Sequence, residues 1–353
     1  MKISFIIPGL YRSGGMRVIN DISKGLAEKG HSVIMYKPFV PYNSYKGEFN
    51  INSLKNFIYS LKSSFYNRRN KEHFSTGDVL IKTVFGINNV TVRDADVVIA
   101  TSWPTAFSVK KLNNSKGKKF YFIQDYETWN SNIRKVNESY LLGLNAITTC
   151  NYLRNLIKDR FGVNSNLVYL GIDDKFFRNT IKVYGKVRNI SFIHHGLDKK
   201  NTPAAIRILE EIKSKYPDIK VTSFGLHPYP SMPEFVKSFI NPSEEKIKEI
   251  YKNSDIFLFT SKEEGFGLPP AESMASKAAL VSSNVGAIPE YSENGISAML
   301  HDPADEEGMI KSISLLINDN KLLKDISERG FISVNEKLNQ AKCIKEFEKI
   351  INS

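Results

Sequence analysis

Short apolar runs that do not alternate with polar residues recur along the chain, and they constrain the fold more than any other feature. A strand without alternation is buried on both faces, as in a parallel sheet covered by helices. Such strands are predicted at residues 3–7, 32–36, 96–101, 119–124, 146–150, 166–170, 190–194, 219–224, 255–260 and 278–283. The segments between them are long enough for helices, such as the amphipathic stretch 17–28. The sequence therefore predicts an α/β fold of parallel sheets with helices on both faces.

One polar and charged segment, around residues 175–189, interrupts this rhythm and predicts a domain boundary. The 353 residues are enough for two domains of ordinary size. After the boundary the pattern resumes, with a helix predicted to have Thr202 as its N-cap and Pro203 at its first position. An amphipathic helix is predicted over 331–351. We therefore predict two doubly wound α/β domains and a C-terminal helical segment. The predicted parts are 1–175, 186–330 and 331–353.

The composition is that of a soluble globular protein, with 41% hydrophobic and 24% charged residues. No apolar run approaches the ~20 residues that a transmembrane helix needs. The first ten residues are predicted to hold a strand, since their apolar run is short for a signal peptide. Cys150 and Cys343 lie far apart and form no metal or redox motif. A reduced, cytoplasmic location is the simplest interpretation.

The net charge of +12 favours anionic partners, which include nucleic acid, a membrane surface and phosphorylated ligands. A solvated basic surface explains it equally well. Between residues 54 and 71 an apolar stripe at helical spacing lies beside a basic one. This pattern fits a helix on a membrane surface or a helix that faces the core, and the core interpretation is favoured.

The segment SKEEGFGLPPAES, residues 261–273, follows a predicted buried strand. Ligands of open α/β sheets bind beyond the carboxyl ends of the strands. Gly265 and Gly267 let backbone N–H groups approach an anion, and the prolines suit the first turn of a helix. The positive end of that helix would face the loop and favour a phosphate.

Glu264 and Glu272 flank this loop, and carboxylates suit ligands rich in hydroxyl groups because they accept from two donors. Glu264 would accept hydrogen bonds near the phosphate. Glu272, expected in the first helical turn, would bind a vicinal diol such as that of a ribose. The alternative is that Glu272 complements the helix dipole and Glu264 is a loop charge. The whole arrangement after a strand favours the ligand site.

These residues resemble the retaining glycosyltransferases of family 4, which have the GT-B fold. The segment E-G-F-G-L-P-x-x-E, from Glu264 to Glu272, is similar to the E-x7-E motif of that family. Residues 255–305 look like its donor-site core, residues 14–33 resemble its Gly-Gly loop and following helix, and residues 170–177 resemble the end of its first domain. The resemblance implies two Rossmann-like domains that face a central cleft, an N-terminal acceptor domain and a C-terminal nucleotide-sugar donor domain. It also implies a last helix that crosses back to the first domain.

The resemblance implies roles for residues that match the motif. Glu272 would hold the donor ribose, and Lys200 stands where the family has its pyrophosphate lysine. The family's usual arginine is missing, and His194 and His195 stand near its place, as pH-dependent cations or as ordinary polar residues at a strand end. Base contacts are expected near His227 and residues 240–242. The sugar and its phosphates would lie against Glu264, Gly265 and the backbone of Phe266, Gly267 and Leu268, and Gly14 and Gly15 would let the first-domain loop approach the diphosphate.

On the acceptor side, residues 100–106 and 121–129 look like a subgroup that includes bacterial rhamnosyltransferases of surface polysaccharide. Many relatives have a histidine where this chain has Gln124 and Asp125. Asp125 is predicted to line the reaction centre, or else to cap a strand end. Trp103 would stack on a sugar or only pack the cleft.

The resemblance implies transfer of a sugar such as rhamnose, with retention, from a dTDP-, UDP- or GDP-sugar to a glycan or an undecaprenyl-diphosphate-linked acceptor. No metal or other cofactor is expected, and Lys200, Glu264 and Asp125 are the predicted catalytic residues. Residues 110–119 and the 55–71 helix would face an anionic membrane. The rival hypotheses are an inactive nucleotide-sugar-binding subunit and a GT-B epimerase or phosphorylase. A nucleic-acid binder is disfavoured because the basic residues form no known docking module.

Overall fold

The computed structural model describes residues 1–10, 12–42, 79–128, 132–176, 182, 185 and 188–353. Contacts within the chain divide it into two units. Unit 1 comprises Met1–Tyr169 and Ala341–Ser353, and unit 2 comprises Leu170–Gln340. The helix predicted between residues 54 and 71 and much of the predicted boundary segment lie outside the described residues.

Unit 1 contains a parallel sheet of seven strands among its described residues, in the order β3-β2-β1-β4-β5-β6-β7. The strands are β1 (Lys2–Ile6), β2 (Ser32–Pro38), β3 (Leu80–Val84), β4 (Val97–Ala100), β5 (Lys118–Ile123), β6 (Asn145–Thr148) and β7 (Ser165–Leu167). The α-helices among the described residues of this unit are α1 (Gly14–Glu28), α2 (Trp103–Lys110), α3 (Ile133–Tyr140), α4 (Asn151–Phe161) and the last helix of the chain. In the middle of the sheet, Ile3 lies opposite Val33 and Val97. This is the Rossmann-like arrangement that the buried strands predicted.

Unit 2 contains a parallel sheet of six strands among its described residues, in the order β10-β9-β8-β11-β12-β13. The strands are β8 (Asn189–Ile193), β9 (Lys220–Gly225), β10 (Val236–Ile240), β11 (Ile256–Phe259), β12 (Ala279–Ser283) and β13 (Met299–His301). The helices are α5 (Thr202–Lys215), α6 (Glu244–Asn253), α7 (Leu268–Ala275), α8 (Ile288–Tyr291), α9 (Glu306–Asn318) and α10 (Asn320–Lys337). Leu209, Leu258 and Ile313, from a helix, a central strand and a second helix, share one fully buried core. The second doubly wound domain is thus confirmed.

Helix α1 shows how the sequence pattern produces a packed element. Ser13 caps its start by accepting a hydrogen bond from the Met16 N–H at 3.3 Å. Val18, Ile22 and Leu26, the stripe that predicted the helix, are all buried. The helical spacing of these apolar residues therefore predicted correctly which face of α1 is buried.

The prediction of one helix over 331–351 is wrong, because helix α10 ends at Lys337 and helix α11 (Gln340–Asn352) follows it. At the break, the Leu338 carbonyl accepts a hydrogen bond from the Ile172 N–H at 2.8 Å. Leu338 is only 1% exposed, so the helical spacing of apolar residues continues across the break. The break therefore cannot be seen in the sequence pattern. Only residues 341–353 group with unit 1, whereas α10 groups with unit 2.

Helix α11 packs into unit 1 through an aromatic contact and a notch. The Phe347 ring lies 6.2 Å from that of Phe5 and 5.3 Å from that of Phe122, between ring centroids. A Cβ atom on Gly25 would lie 2.8 Å from Ile344 Cγ1 and closer still to its Cδ1. Gly25 therefore leaves on α1 the space that Ile344 fills.

No helix among the described residues is both long and apolar enough to cross a membrane.

Candidate functional site

The carboxyl edge of the unit 2 sheet is formed by the loops that follow β8 and β11, two strands that pair directly. The two loops are joined by hydrogen bonds to backbone carbonyls. The Lys262 N–H donates to the Lys199 carbonyl at 2.7 Å, and Thr260 Oγ1 donates to the Asn201 carbonyl at 3.0 Å. These bonds fix the two loops relative to each other, at the place where open α/β sheets bind ligands.

Lys200 and Glu264, one from each loop, form an ion pair at this edge. Lys200 Nζ donates to Glu264 Oε1, and Ser261 Oγ donates to the same oxygen at 3.1 Å. The two side chains are 21% and 8% exposed, respectively. A cation next to a carboxylate offers a partner for a phosphate beside an acceptor for hydroxyl groups. The structure thus brings together two residues that are 64 positions apart in sequence.

The two neighbouring histidines at the end of β8 have different environments. His194 is 1% exposed, and its Nε2 donates to the His227 carbonyl at 3.0 Å while Nδ1 lies 3.1 Å from Ser223 Oγ. Burial lowers the pKa of His194, against a smaller raising effect of the bond to His227. His194 is therefore a structural residue that holds the backbone after β9, which corrects its suggested role as a cation.

His195 is half-buried beside the ion pair. Its Nδ1 accepts a hydrogen bond from the Leu197 N–H at 3.0 Å, so in the neutral ring the proton is on Nε2. Burial lowers the pKa of His195 most, the Lys200 charge lowers it next, and Glu264 opposes these effects. The neutral His195 therefore presents an N–H donor at this edge, rather than the cation that would replace an arginine.

The backbone of the 264–267 loop is held by close packing. Gly267 has φ of +79°, and its carbonyl accepts a hydrogen bond from Tyr291 Oη at 2.8 Å. The Phe266 ring, 4% exposed, packs against Tyr291. The Ala287 N–H donates to the Gly265 carbonyl at 3.0 Å. The glycine loop is thus held in place by contacts with helix α8 and the residue before it, and the Phe266 ring contributes to this packing.

Helix α7 begins at Leu268, so Pro269 and Pro270 occupy its second and third positions. Neither proline has an N–H group, which leaves the Leu268 amide as the first-turn donor. Glu272 is the fifth residue of the helix and 3% exposed, whereas the sequence placed it in the first turn. The helix end therefore offers one amide donor and its dipole, and Glu272 lies at the start of the second turn rather than within the first.

In unit 1, the residues predicted for binding also follow strands at the carboxyl edge. Gly14 and Gly15 start α1 after β1, and a Cβ on Gly15 would lie 3.4 Å from Gln124 Oε1 after β5. Asp125, half-buried, accepts a hydrogen bond from the Tyr126 N–H at 2.8 Å. The structure therefore places Gly15 next to the side chain of Gln124, and Asp125 follows Gln124 in the sequence.

Trp103 does not have the exposed ring that stacking on an acceptor sugar would need. Its side chain is 4% exposed and packs edge-on against Phe107 in the unit 1 core, so no face is open to a sugar. Its backbone N–H donates to Glu127 Oε1 at 3.1 Å. Glu127, which the sequence analysis missed, also raises the pKa of Tyr121 and Tyr140, after burial as the main cause. The signal was present in the sequence as a second acid two residues after Asp125.

The lysines of residues 110–119 have different roles in the structure. Lys116 Nζ contacts Asp94 at 2.8 Å and lowers the pKa of that carboxyl through hydrogen bonding and charge. Lys119 Nζ donates to the Lys110 and Leu112 carbonyls at the end of α2. Two of the lysines predicted to face a membrane are thus engaged within the protein. In the part of the chain that is described, no group of three His, Cys, Asp or Glu side chains could hold a metal ion.

The sequence of unit 2 is similar to a known family. Residues 173–332 match the sequence model of the family described as "Glycosyl transferases group 1". N-acetyl-alpha-D-glucosaminyl L-malate synthase of Bacillus anthracis is 30% identical over 107 residues, which cover 30% of this chain and 28% of that protein. The capsular polysaccharide biosynthesis glycosyltransferase CapM of Staphylococcus aureus is 24% identical over 234 residues, 63% of this chain and 57% of CapM. These matches span between about a quarter and three fifths of the relatives' lengths.

Solved structures share the fold over the whole chain. The complex of Anabaena Alr3699/HepE with UDP and glucose aligns with a TM-score of 0.76 and 13% identity, and covers 100% of this chain and 99% of that one. Sucrose-phosphate synthase from Thermosynechococcus elongatus aligns with a TM-score of 0.72 and 12% identity, at 100% and 98% coverage. The fold is therefore that of the GT-B glycosyltransferases, and the sequence of unit 2 is similar to their group 1 family.

Proposed function

We propose that the protein is a glycosyltransferase that moves a sugar from a nucleoside diphosphate donor to a hydroxyl group of an acceptor. The observation that carries this proposal is the ion pair of Lys200 with Glu264 at the carboxyl edge of the unit 2 sheet. It lies inside the segment that matches the group 1 family. A cation and a carboxylate fixed side by side suit a ligand that joins phosphates to a polyhydroxylated sugar.

In the proposed mechanism, the difficult step is departure of the nucleoside diphosphate from the anomeric carbon. Lys200 stabilises the negative charge that grows on the leaving phosphate, and the Leu268 amide and the dipole of α7 add to it. His195 donates a neutral N–H to the same anion. Glu264 accepts hydrogen bonds from sugar hydroxyls, and Glu272 holds the ribose.

We propose that the anomeric configuration is retained, with the leaving phosphate taking the proton of the acceptor hydroxyl. This route requires no protein nucleophile, no metal ion and no other cofactor, and the nucleotide-sugar donor takes part as a substrate. Asp125 and Gln124 are proposed to bind the acceptor or a sugar hydroxyl at the edge of the unit 1 sheet. Gly14 and Gly15 are proposed to allow a diphosphate to approach the start of α1.

The donor and acceptor are proposed by class. The likeness to HepE, whose structure contains UDP and glucose, supports a UDP-sugar first, with dTDP- and GDP-sugars as alternatives. The sugar is a hexose or deoxyhexose such as rhamnose. The partial similarity to CapM, a capsular polysaccharide enzyme by name, supports a glycan or undecaprenyl-diphosphate-linked acceptor in bacterial surface-polysaccharide synthesis. We propose a cytoplasmic enzyme that works at the inner face of the plasma membrane.

The first test is calorimetric titration of the purified protein with UDP, dTDP and GDP and their common sugars. We expect one base to bind, and Glu272→Gln to weaken binding of that nucleotide at least tenfold by loss of the ribose contact. Glu263→Gln, an exposed carboxylate in the same loop, is the matched control and should leave binding unchanged. Absence of binding by every nucleotide would contradict the proposal.

The second test follows the product by NMR with the donor identified in the first. Transfer to an acceptor with the anomeric configuration preserved supports the retaining mechanism. Binding without transfer or hydrolysis would favour the inactive-subunit hypothesis, and conversion of the donor sugar without acceptor would favour an epimerase.

A further inference from the structure

The loop of residues 85–91, which follows β3 in unit 1, holds two large apolar side chains almost completely out of the protein. Phe85 is 93% exposed and Val90 is 95% exposed. No other large hydrophobic side chain of the described residues exceeds 60% exposure. The Phe85 ring contacts Phe39, and Val40 beside it is 40% exposed, so the apolar surface extends beyond the loop. Contiguous exposed apolar surface marks a contact site.

This loop, here called the Phe85 loop, is ordered by its own hydrogen bonds. Asn88 Oδ1 accepts from the N–H groups of Val90 and Thr91 at 2.9 and 3.1 Å. Thr91 Oγ1 donates to the Gly86 carbonyl at 2.6 Å, which closes the loop between its two apolar residues. The exposure of Phe85 and Val90 is therefore built into a fixed turn, and little conformational entropy is lost when they enter an apolar phase.

Positive charge lies beside the Phe85 loop. The Asn113 N–H donates to Asn89 Oδ1 at 2.7 Å and joins the loop to the end of α2. Lys110 and Lys111, at that end, are exposed and form no ion pair with the described residues. Their charge is thus free for an external anion, unlike that of Lys116, which Asp94 neutralises.

We infer that the Phe85 loop is a membrane-docking element, in which Phe85 and Val90 enter the lipid interface while Lys110 and Lys111 contact anionic headgroups. A turn that projects two apolar side chains, flanked by unpaired lysines, is complementary to a bilayer surface with negative charge. The net charge of +12 favours the same partner. The inference specifies the membrane association proposed above and rests on it, but it is independent of the transfer chemistry.

The test is co-sedimentation with vesicles of phosphatidylglycerol mixed with phosphatidylcholine, and of phosphatidylcholine alone. We expect the mixed vesicles to bind the protein, and the double variant Phe85→Ser with Val90→Ser to lower the partition coefficient at least tenfold. Leu315→Ser with Ile332→Ser removes two half-exposed apolar side chains from unit 2 and is the matched control, expected within twofold of the unchanged protein. Circular dichroism and the thermal midpoint verify that each variant is folded.

Two further measurements separate charge from insertion. Lys110→Gln with Lys111→Gln should weaken binding to the phosphatidylglycerol vesicles severalfold and remove its salt dependence in part. A Phe85→Trp variant should show fluorescence quenching by brominated lipid, above that from the two natural tryptophans.

Three results would overturn the inference: no vesicle binding by the unchanged protein, equal binding by the loop variant, or absence of quenching at position 85. A drop in self-association of the loop variant without lipid would instead identify an interface between two copies and would also overturn it. Nucleotide titration of the same variants keeps the outcomes distinct, because failure of UDP binding would contradict the proposed transferase while the vesicle result stands.

Discussion

Removing one partner or the other of the Lys200–Glu264 ion pair should change nucleotide affinity in opposite directions. Lys200→Gln removes the cation proposed to meet the diphosphate, and Glu264→Gln removes a negative charge from the same place. The two charges are paired in the structure, so a phosphate must compete with the carboxylate for Lys200 Nζ. The prediction is weaker UDP binding in the first variant and tighter UDP binding in the second.

The magnitudes follow from the contacts. A hydrogen bond that involves a charged group contributes about 1.5–3 kcal/mol, which corresponds to roughly ten- to hundredfold weaker UDP binding by Lys200→Gln. Because Lys200 is 21% exposed and water reaches it, the lower part of this range is expected. The Glu264 carboxylate lies beside Lys200 and would repel a phosphate bound there by no more than about a few kcal/mol, so Glu264→Gln should tighten UDP binding roughly fivefold after screening.

Isothermal titration with UDP and with the UDP-sugar measures both effects. Glu264→Gln should bind UDP more tightly but transfer sugar at least tenfold more slowly, because the sugar hydroxyls lose their acceptor. Lys262→Gln removes an exposed lysine of the same loop, which pairs with Asp198 at 3.0 Å, and should bind UDP like the unchanged protein. If Lys200→Gln binds UDP within twofold of the unchanged protein, the assignment of Lys200 to the diphosphate is refuted.

Three further predictions concern stability. Gly25→Ala should lower the free energy of unfolding in urea by about 1–2 kcal/mol, since overpacking against Ile344 outweighs the gain in helix propensity, and adding Ile344→Ala should remove most of this coupling. Because the folded pKa of His195 is lowered, the unfolded chain binds more protons below about pH 6.5, so stability should fall as the pH drops from 7 to 5, and His195→Gln should make this decline shallower. Tyr291→Phe leaves the Gly267 carbonyl without its 2.8 Å hydrogen bond and should reduce stability by about 1 kcal/mol, with an unchanged thermal midpoint as the contrary result.

Most strands that the sequence predicted are buried on both faces, although the short outer strand β7 was also predicted, and the strands it missed are all outer strands of their sheets. Strand β3 (LIKTV) and strand β10 (VKSFI) are outer strands of their sheets and half exposed, so polar residues interrupt their apolar runs. Strand β13 is also an outer strand, has only three residues and is partly exposed. The pattern of apolar residues in the sequence follows the burial of a strand. In a partly exposed strand the pattern is weaker, even though the backbone hydrogen bonding is regular.

The candidate site could be located from sequence in part. Lys200 and Glu264 each follow a predicted buried strand, and the pairing of those strands brings them together. The different roles of His194 and His195 could not be predicted, because they depend on Ser223 and other groups that reach them from a neighbouring strand. Likewise, composition cannot distinguish a tryptophan that packs a core from one that stacks on a sugar, because both need a large apolar face.

The connectivity of unit 1 has a consequence for synthesis of the chain on the ribosome. Unit 2 is a continuous segment, Leu170–Gln340, whereas unit 1 is completed only by residues 341–353. Until Phe347 is synthesised, Phe5 and Phe122 lack the ring that later packs against them. The later-made unit can therefore finish folding before the earlier-made one, and a message that stops before codon 347 would leave unit 1 with an incomplete core rather than a shortened tail.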